Sequence, residues 1–251
     1  MRVRPSLLLA ATALGAFFVA QTALGSPPAH THTQGSAVDF QPVAAVTPLK
    51  PAVPRPYRLA VMRGELRLSD RPGGPEKGIL PTTTEFGSPQ VLGVAAQRRN
   101  WLGVVTSARP NGRLAWVRRD QVAITRTRWS LQADLSAHTL TLRRNGRKVH
   151  RMEVAIGRPG SETPTGRFAV TDKLAGSNYG PYYGCCVLAL NGHQPNTPAG
   201  WKGGNRLAIH GTDTPATIGA AASAGCLRAS DADLQVLMAK VPLGTPVFIH
   251  A

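Results

Sequence analysis

Leu131-Gln132-Ala133-Asp134-Leu135, His138-Thr139-Leu140-Thr141-Leu142 and Asn145-Gly146 follow one another in the middle of the chain. In the first two runs apolar and polar side chains alternate, so an extended backbone presents one dry face and one wet face. Asn-Gly supplies the two positive-φ residues that a two-residue hairpin turn needs, which makes this the best short hairpin signal in the sequence. Working outward, further strands are predicted at Met152 to Ile156, Phe168 to Thr171, Val187 to Leu190 and Leu207 to Ile209. One helix interrupts them. Ser230 is its N-cap, Asp231 and Asp233 lie in the first turn where the helix dipole favours anions, and Leu234, Leu237, Met238 and Val241 form its apolar stripe. Pro242 and Gly244 stop it before a last strand, Pro246 to Ile249. Residues 129–251 therefore read as a mainly β domain with one short helix packed beside it.

Upstream, from Tyr57 to about Ile124, short apolar runs alternate with turn signals such as Arg71-Pro72-Gly73-Gly74 and Pro110-Asn111-Gly112. That spacing predicts a second, smaller all-β unit over 57–125. Trp101-Leu102-Gly103-Val104-Val105, the Asn111-Gly112 turn and Ala115-Trp116-Val117 make it resemble a bacterial SH3-like β-barrel. Its tryptophans read as core rather than as the lining of a peptide groove, so no ligand is assigned to it. Residues 26–56 are rich in Pro and Ala without hydrophobic period, which predicts an extended linker, with His30 and His32 as solvated linker residues. The first 25 residues read as an export signal: Arg2 and Arg4, the apolar run Leu7 to Ala20, then Ala23-Leu24-Gly25 before Ser26. An uncleaved membrane anchor is the alternative reading of the same run. Under either, the folded part is expected outside the cytoplasm, secreted or held in the cell envelope.

The formal net charge is +16, from 29 Lys and Arg against 13 Asp and Glu. The basic residues come in ones and twos, as in Arg98-Arg99 and Arg143-Arg144, and no nucleic-acid-binding motif accompanies them, so nucleic acid is not expected as a partner. Anionic wall polymers are a partner class that suits an exported basic protein. The chain has three cysteines. Cys185 and Cys186 are neighbours on a predicted strand and would point to opposite faces, so a bond between them needs a strained local geometry. A bond from one of them to Cys226 is the alternative, and it would disable that thiol. No C-x-x-C or H-E-x-x-H spacing is present, so neither a metal nor any other cofactor is expected.

His210 and Cys226 carry the chemistry. They stand sixteen positions apart (226 − 210), in Ile209-His210-Gly211-Thr212 and Ser223-Ala224-Gly225-Cys226-Leu227-Arg228. A thiol attacks as thiolate, and an imidazole nearby can take its proton. Gly211 and Gly225 let backbone come close to a reacting carbonyl, where an N–H stabilises the oxyanion. A guanidinium two residues beyond the thiol, Arg228, suits a substrate carboxylate and would lower the thiol pKa.

These motifs, with Ile218-Gly219, Thr163-Pro164-Thr165-Gly166-Arg167-Phe168 and Gly244-Thr245-Pro246-Val247, resemble the signature of the YkuD-type (ErfK/YbiS/YcfS/YnhG-like) L,D-transpeptidases. The resemblance runs from Trp129 to the end and implies a β-sandwich catalytic domain. It departs at Ala224, where many members carry His. It implies Cys226 as nucleophile, His210 as base and the carbonyl of Gly211 as the group that orients the imidazole. It also implies Arg228 for a substrate carboxylate and Ser223 as support for the catalytic loop. Gly225, His193 and Tyr183 are read from the residues themselves as further candidates for the substrate cleft. Tyr179, Tyr182 and Tyr183 lie in a Gly-rich segment, 176–184, suited to a lid. The implied substrate is the peptidoglycan stem peptide, cleaved before its terminal D-Ala and joined to another stem as a 3-3 crosslink, by a monomer whose thiol carbapenems acylate. Two alternatives stand beside this: an L,D-carboxypeptidase, in which water resolves the thioester, and a noncatalytic wall-binding module. An NlpC-type peptidase is disfavoured because His210 precedes Cys226.

Overall fold

A computed structural model describes residues 54–251. The expected export signal and all but the end of the expected linker fall outside the described residues. No described helix is long and apolar enough to cross a membrane.

The fold is mainly β. Strands β1 (Tyr57–Met62), β2 (Leu66–Ser69), β3 (Glu76–Leu80), β4 (Val91–Arg98), β5 (Trp101–Val105), β6 (Ala115–Arg118) and β7 (Val122–Thr127) form one sheet in the order β3-β2-β6-β5-β4-β1-β7. Its core is built from Leu66, Leu68, Leu92, Leu102, Val104 and Val117. Trp101 and Trp116 are not in that core, contrary to expectation, and both are half-buried. The period of two explains it: Leu102 and Val104 face inward, which turns Trp101 and Gly103 outward. The ring of Trp116 then lies over Gly103, where a β-carbon would meet it at 3.3 Å.

The second sheet begins with the hairpin read from the sequence. It comprises β8 (Trp129–Asp134), β9 (Thr139–Arg144), β10 (Arg147–Glu153), the short β11 (Ile156–Gly157) set apart, β12 (Gly166–Ala175), β13 (Cys186–His193) and β14 (Arg206–His210). Then come β15 (Ala221–Ser223), β16 (Leu227–Arg228), helix α1 (Asp231–Lys240) and β17 (Pro246–His250). Eight of these strands pair in the order β10-β9-β8-β17-β12-β13-β14-β16, and β11 pairs with β15 alone. Asn145 and Gly146 have φ of 53° and 75°, as the two-residue turn requires. The strand expected at Met152 to Ile156 breaks instead at Val154. There the chain leaves β9, and Ala155 bridges to Arg228. Ser230 caps α1 by accepting from the Asp233 amide at 3.2 Å. Leu234 and Leu237, both fully buried, join Phe168, Leu188, Leu190, Ile209 and Val247 in the core.

The two sheets meet in a tight seam. A β-carbon on Gly244 would stand 2.7 Å from Val91 Cγ1, and Gly244 has φ of 78°, so both space and conformation call for glycine. Thr84 Oγ1 donates to Asp172 Oδ1 at 2.5 Å. Asn111 and His193 exchange two hydrogen bonds, side-chain amide to carbonyl at 2.6 Å and backbone amide to side-chain oxygen at 2.9 Å.

Candidate active site

The site sits at the edge of the larger sheet, where β14 and β16 run parallel with Ile209 opposite Leu227 and His210 opposite Arg228. Paired residues of adjacent strands point to the same face, and side chains repeat every second residue. Cys226 immediately precedes β16 and lines one cleft with His210. Beside it stands Ala208, small enough to leave the thiol room.

His210 is 1% exposed. Its Nδ1 lies 2.6 Å from the carbonyl oxygen of Gly211, so Nδ1–H donates there and the Nε2 lone pair is left for a proton. Tyr183 and Tyr182 pack on the imidazole, with ring centroids at 4.9 and 5.6 Å. Burial drives its pKa down to about 4, helped by the positive charge of Arg228 and opposed by the Gly211 carbonyl and Asp213. The imidazole is neutral at neutral pH and able to act as a base.

The thiol is held by a loop that glycine makes possible. Ser223 Oγ donates to the carbonyl of Cys226 at 2.6 Å and accepts from the amide of Gly225 at 3.0 Å. Gly225 has φ of 117°. Cys226 is half-buried and its thiol points weakly toward the carbonyl of Arg206, at 3.8 Å. Burial raises its pKa to about 11, outweighing the Ala208 amide and Arg228, which both pull it down. The expected lowering by Arg228 is therefore present in direction but not in sum. At rest the pair is a neutral thiol beside a neutral imidazole.

Both lie in a cleft of about 40 Å³ that Tyr182, Tyr183 and Trp201 close over. That is little more than the space of one water molecule. The tyrosines come from the segment the sequence marks as a lid, and Tyr179 continues the aromatic row to Phe86 in the turn between β3 and β4, with ring centroids 6.2 Å apart.

Of the expected site residues, Cys226, His210, Gly211, Ser223, Gly225, Arg228 and Tyr183 come together here. His193 does not. It ends β13 at the seam, with Nε2 2.9 Å from the carbonyl of Ser107 and Nδ1 3.2 Å from Asn205 Oδ1. The oxyanion donors read at Gly211 and Gly225 are also committed elsewhere: the Gly211 amide donates to the Cys186 carbonyl at 3.1 Å and the Gly225 amide to Ser223 Oγ.

Two residues at the site go beyond the sequence reading. Gln194, 4% exposed, sets Nε2 within 3.0 to 3.3 Å of the carbonyls of Ser161, Glu162 and Ala224, tying the 161–162 loop and the thiol loop to the end of β13. Asp231, read only as a dipole partner, accepts from the Cys185 amide at 3.0 Å. A β-carbon on Gly211 would stand 2.3 Å from its Oδ1. A buried amide one position from a predicted cleft residue was the only signal for Gln194.

Cys185 and Cys186 are bonded to each other, and Cys226 is the free cysteine. The expectation that they diverge fails because β13 starts at Cys186. Cys185 belongs to the turn after Gly184, whose φ of 58° releases it from the strand alternation.

The model of the YkuD L,D-transpeptidase catalytic domain matches residues 128–249. YkuD of Bacillus subtilis (strain 168), which carries the name of an L,D-transpeptidase, is 33% identical over 122 residues, 49% of this chain and 66% of its own. The Bacillus licheniformis protein of that name is 31% identical over 121 residues, 48% of this chain and 65% of its own. The chain thus spans just under two thirds of these relatives. Among solved structures, an L,D-transpeptidase from Mycobacterium smegmatis is similar with 19% identity and a TM-score of 0.40, over 64% of this chain and 90% of that one. L,D-transpeptidase 3 from Mycobacterium tuberculosis, in complex with a faropenem-derived adduct, has 20% identity and a TM-score of 0.40, over 55% of this chain and 73% of that one.

Proposed function

We propose, from the premise that residues 128–249 are a YkuD L,D-transpeptidase catalytic domain, that Cys226 is an acyl acceptor for peptidoglycan stem peptides. The observation that carries this is the buried imidazole of His210, held by the Gly211 carbonyl and lining one cleft with the only free cysteine of the chain. Sγ attacks the carbonyl before the terminal D-Ala while Nε2 of His210 takes the thiol proton. Because both groups are neutral at rest, proton transfer accompanies attack instead of preceding it. We assign the amide of Cys226 itself to the oxyanion, since those of Gly211 and Gly225 are committed. The tetrahedral adduct collapses to a thioester, His210 returns the proton to the leaving amine, and D-Ala departs.

In this reading a second stem's side-chain amine then attacks the thioester, giving a 3-3 crosslink and restoring the thiol. The activity belongs outside the cytoplasm, where the N-terminal export signal would deliver the chain and its substrate is found. The net charge of +16 favours residence among anionic wall polymers.

Intact-mass measurement of the reduced chain, incubated with a disaccharide tetrapeptide and separately with a carbapenem, tests the proposal beside Cys226→Ala. The expected result is an adduct on the wild type alone and a crosslinked dimer among the products. Tripeptide without dimer would make the enzyme an L,D-carboxypeptidase, and no adduct would remove the catalytic role.

A further inference from the structure

Cys185 and Cys186 are bonded to each other where three parts of the site converge. The Cys185 carbonyl accepts from the amide of Gly176 at 2.8 Å, which closes the foot of the aromatic segment 176–184. The Cys185 amide donates to Asp231 Oδ1 at 3.0 Å, at the start of α1. The Cys186 carbonyl accepts from the amide of Gly211 at 3.1 Å, and the next residue of β13, Val187, stands opposite His210.

Gly211 is thus held by Cys186 while its own carbonyl holds the imidazole of His210. The two segments also touch along their backbones. A β-carbon on Gly184 would stand 2.6 Å from Gly211 Cα, and one on Gly211 would stand 2.8 Å from Gly184 Cα. Packing this close transmits displacement, so the residue before Cys185 does not move without moving the residue after His210.

A bond between adjacent cysteines closes a small ring through the backbone, and the torsions around peptide 185–186 stay fixed while it lasts. On a strand successive side chains point to opposite faces, an arrangement the bonded pair cannot take. Breaking the bond releases those torsions. Asp231 anchors the Cys185 amide in either state, so the freed rotation falls on the Cys186 side, where the carbonyl meets Gly211.

The two sulfurs differ in access, because Cys186 is 8% exposed and Cys185 is half-buried. Attack therefore falls on Cys185 Sγ. A thiolate of a dithiol reductant bonds to that sulfur, the S–S bond breaks, and Cys186 leaves as a thiolate that takes a proton. The second thiol of the reductant then displaces Cys185, which is protonated in turn, and the reductant ends as a disulfide. Two electrons pass from the dithiol to the cysteine pair.

We propose that Cys185–Cys186 is a redox modification site, reduced by dithiols, that positions His210 through Gly211, so that the oxidised chain is acylated faster than the reduced one. This rests on the reading of Cys226 and His210 as the acylating pair.

Acylation of the full chain by a tetrapeptide, before and after native treatment with dithiothreitol that is then removed under nitrogen, tests this beside Cys185→Ser/Cys186→Ser. Alkylation after unfolding should find one thiol in the untreated chain and three in the treated one. Reduction should slow acylation about tenfold at neutral pH, since the imidazole is no longer held in line with the thiol. It should also move the pH at which the rate rises upward from about 4 toward 6.5, because a loosened imidazole is better hydrated. The serine chain should be slow from the start and indifferent to dithiothreitol. A pair that the dithiol leaves intact, a rate and pH profile unchanged by reduction, or a serine chain acylated as fast as the oxidised wild type would overturn the proposal. A chain acylated in neither state would refute the Cys226 reading, and NMR titration of the His210 ring in the two states then decides on the redox site alone: midpoints that differ keep it, and equal midpoints remove it.

Discussion

Gln194 Nε2 and the Cα of Gly225 approach so closely that a β-carbon on Gly225 would stand 1.9 Å from that nitrogen. The amide occupies the space a side chain would need, and from there it reaches the carbonyls of Ser161, Glu162 and Ala224. Gly225→Ala meets both this clash and a φ of 117°. The expected cost is about 2–3 kcal/mol of stability, with acylation of Cys226 lost because the loop that carries it must shift. Gln194→Ala removes the donor while leaving three carbonyls in place, at about 1–3 kcal/mol. Thermal unfolding and acylation rate, measured on the same preparations, check both; a Gly225→Ala chain that acylates normally would show that the loop tolerates the shift.

The pH dependence follows from the shifts of His210 and Cys226. Acylation needs a neutral imidazole and a protonated thiol, so its rate should rise through about pH 4 as His210 loses its proton and stay level until Cys226 ionises near 11. A preformed thiolate–imidazolium pair would give a rise near neutrality instead. Stability moves correspondingly. The folded pKa of His210 lies below its ordinary 6.5, so its contribution is complete above 6.5 and declines as pH falls toward 4. The folded pKa of Cys226 lies above its ordinary 9.0, so its contribution is complete below 9 and declines as pH rises toward 11. Acylation rates and melting temperatures across pH 4 to 10 test the sign of each.

Much of this was legible because local signals and tertiary structure agree. The alternation before Asn145-Gly146 and the Ser230 cap are properties of a few adjacent residues, and each forms as read. His210 and Cys226 are legible because glycines flank them. The misreadings have a common physical origin in where strands begin and end. The strand that alternation extends over Cys185 starts one residue later, and His193, a cleft candidate by sequence, ends its strand at the seam. Trp101 reads as core because so small a domain has few other large side chains to fill it, whereas the period of two puts Leu102 there. Gln194 and Asp231 act through contacts with partners 30 to 46 positions away, which no local pattern encodes.

The bond between Cys185 and Cys186 leaves one thiol per chain. Unfolded without reductant, the protein should react with one equivalent of a thiol reagent, at Cys226, and with three after reduction. Peptide mapping of the unreduced chain should recover residues 185 and 186 joined and Cys226 alkylated. A Cys226-containing disulfide would reverse the assignment and make the isolated protein inactive until reduced. Cys185→Ser with Cys186→Ser tests the local role: the Asp231 contact to the residue 185 amide remains, so the fold should persist with a modest fall in melting temperature.

Trp201 lines the thiol cleft beside Tyr182, with its Nε1 donating to the Gly204 carbonyl at 2.6 Å. The cleft is narrow, about 40 Å³, so a peptide reaching the thiol passes between these aromatic walls. Trp201→Ala removes a wall shared with Tyr182, whose ring centre is 5.7 Å away. Water then reaches the sulfur, and the burial that raises the Cys226 pKa is relieved, which moves that pKa down from about 11 toward 9.0. The variant should therefore react several-fold faster with iodoacetamide at pH 8, while its acylation by a tetrapeptide slows because the peptide loses the aromatic wall against which it is positioned. If alkylation and acylation instead rise together, opening limits the reaction and Trp201 acts as a gate without a part in holding the peptide.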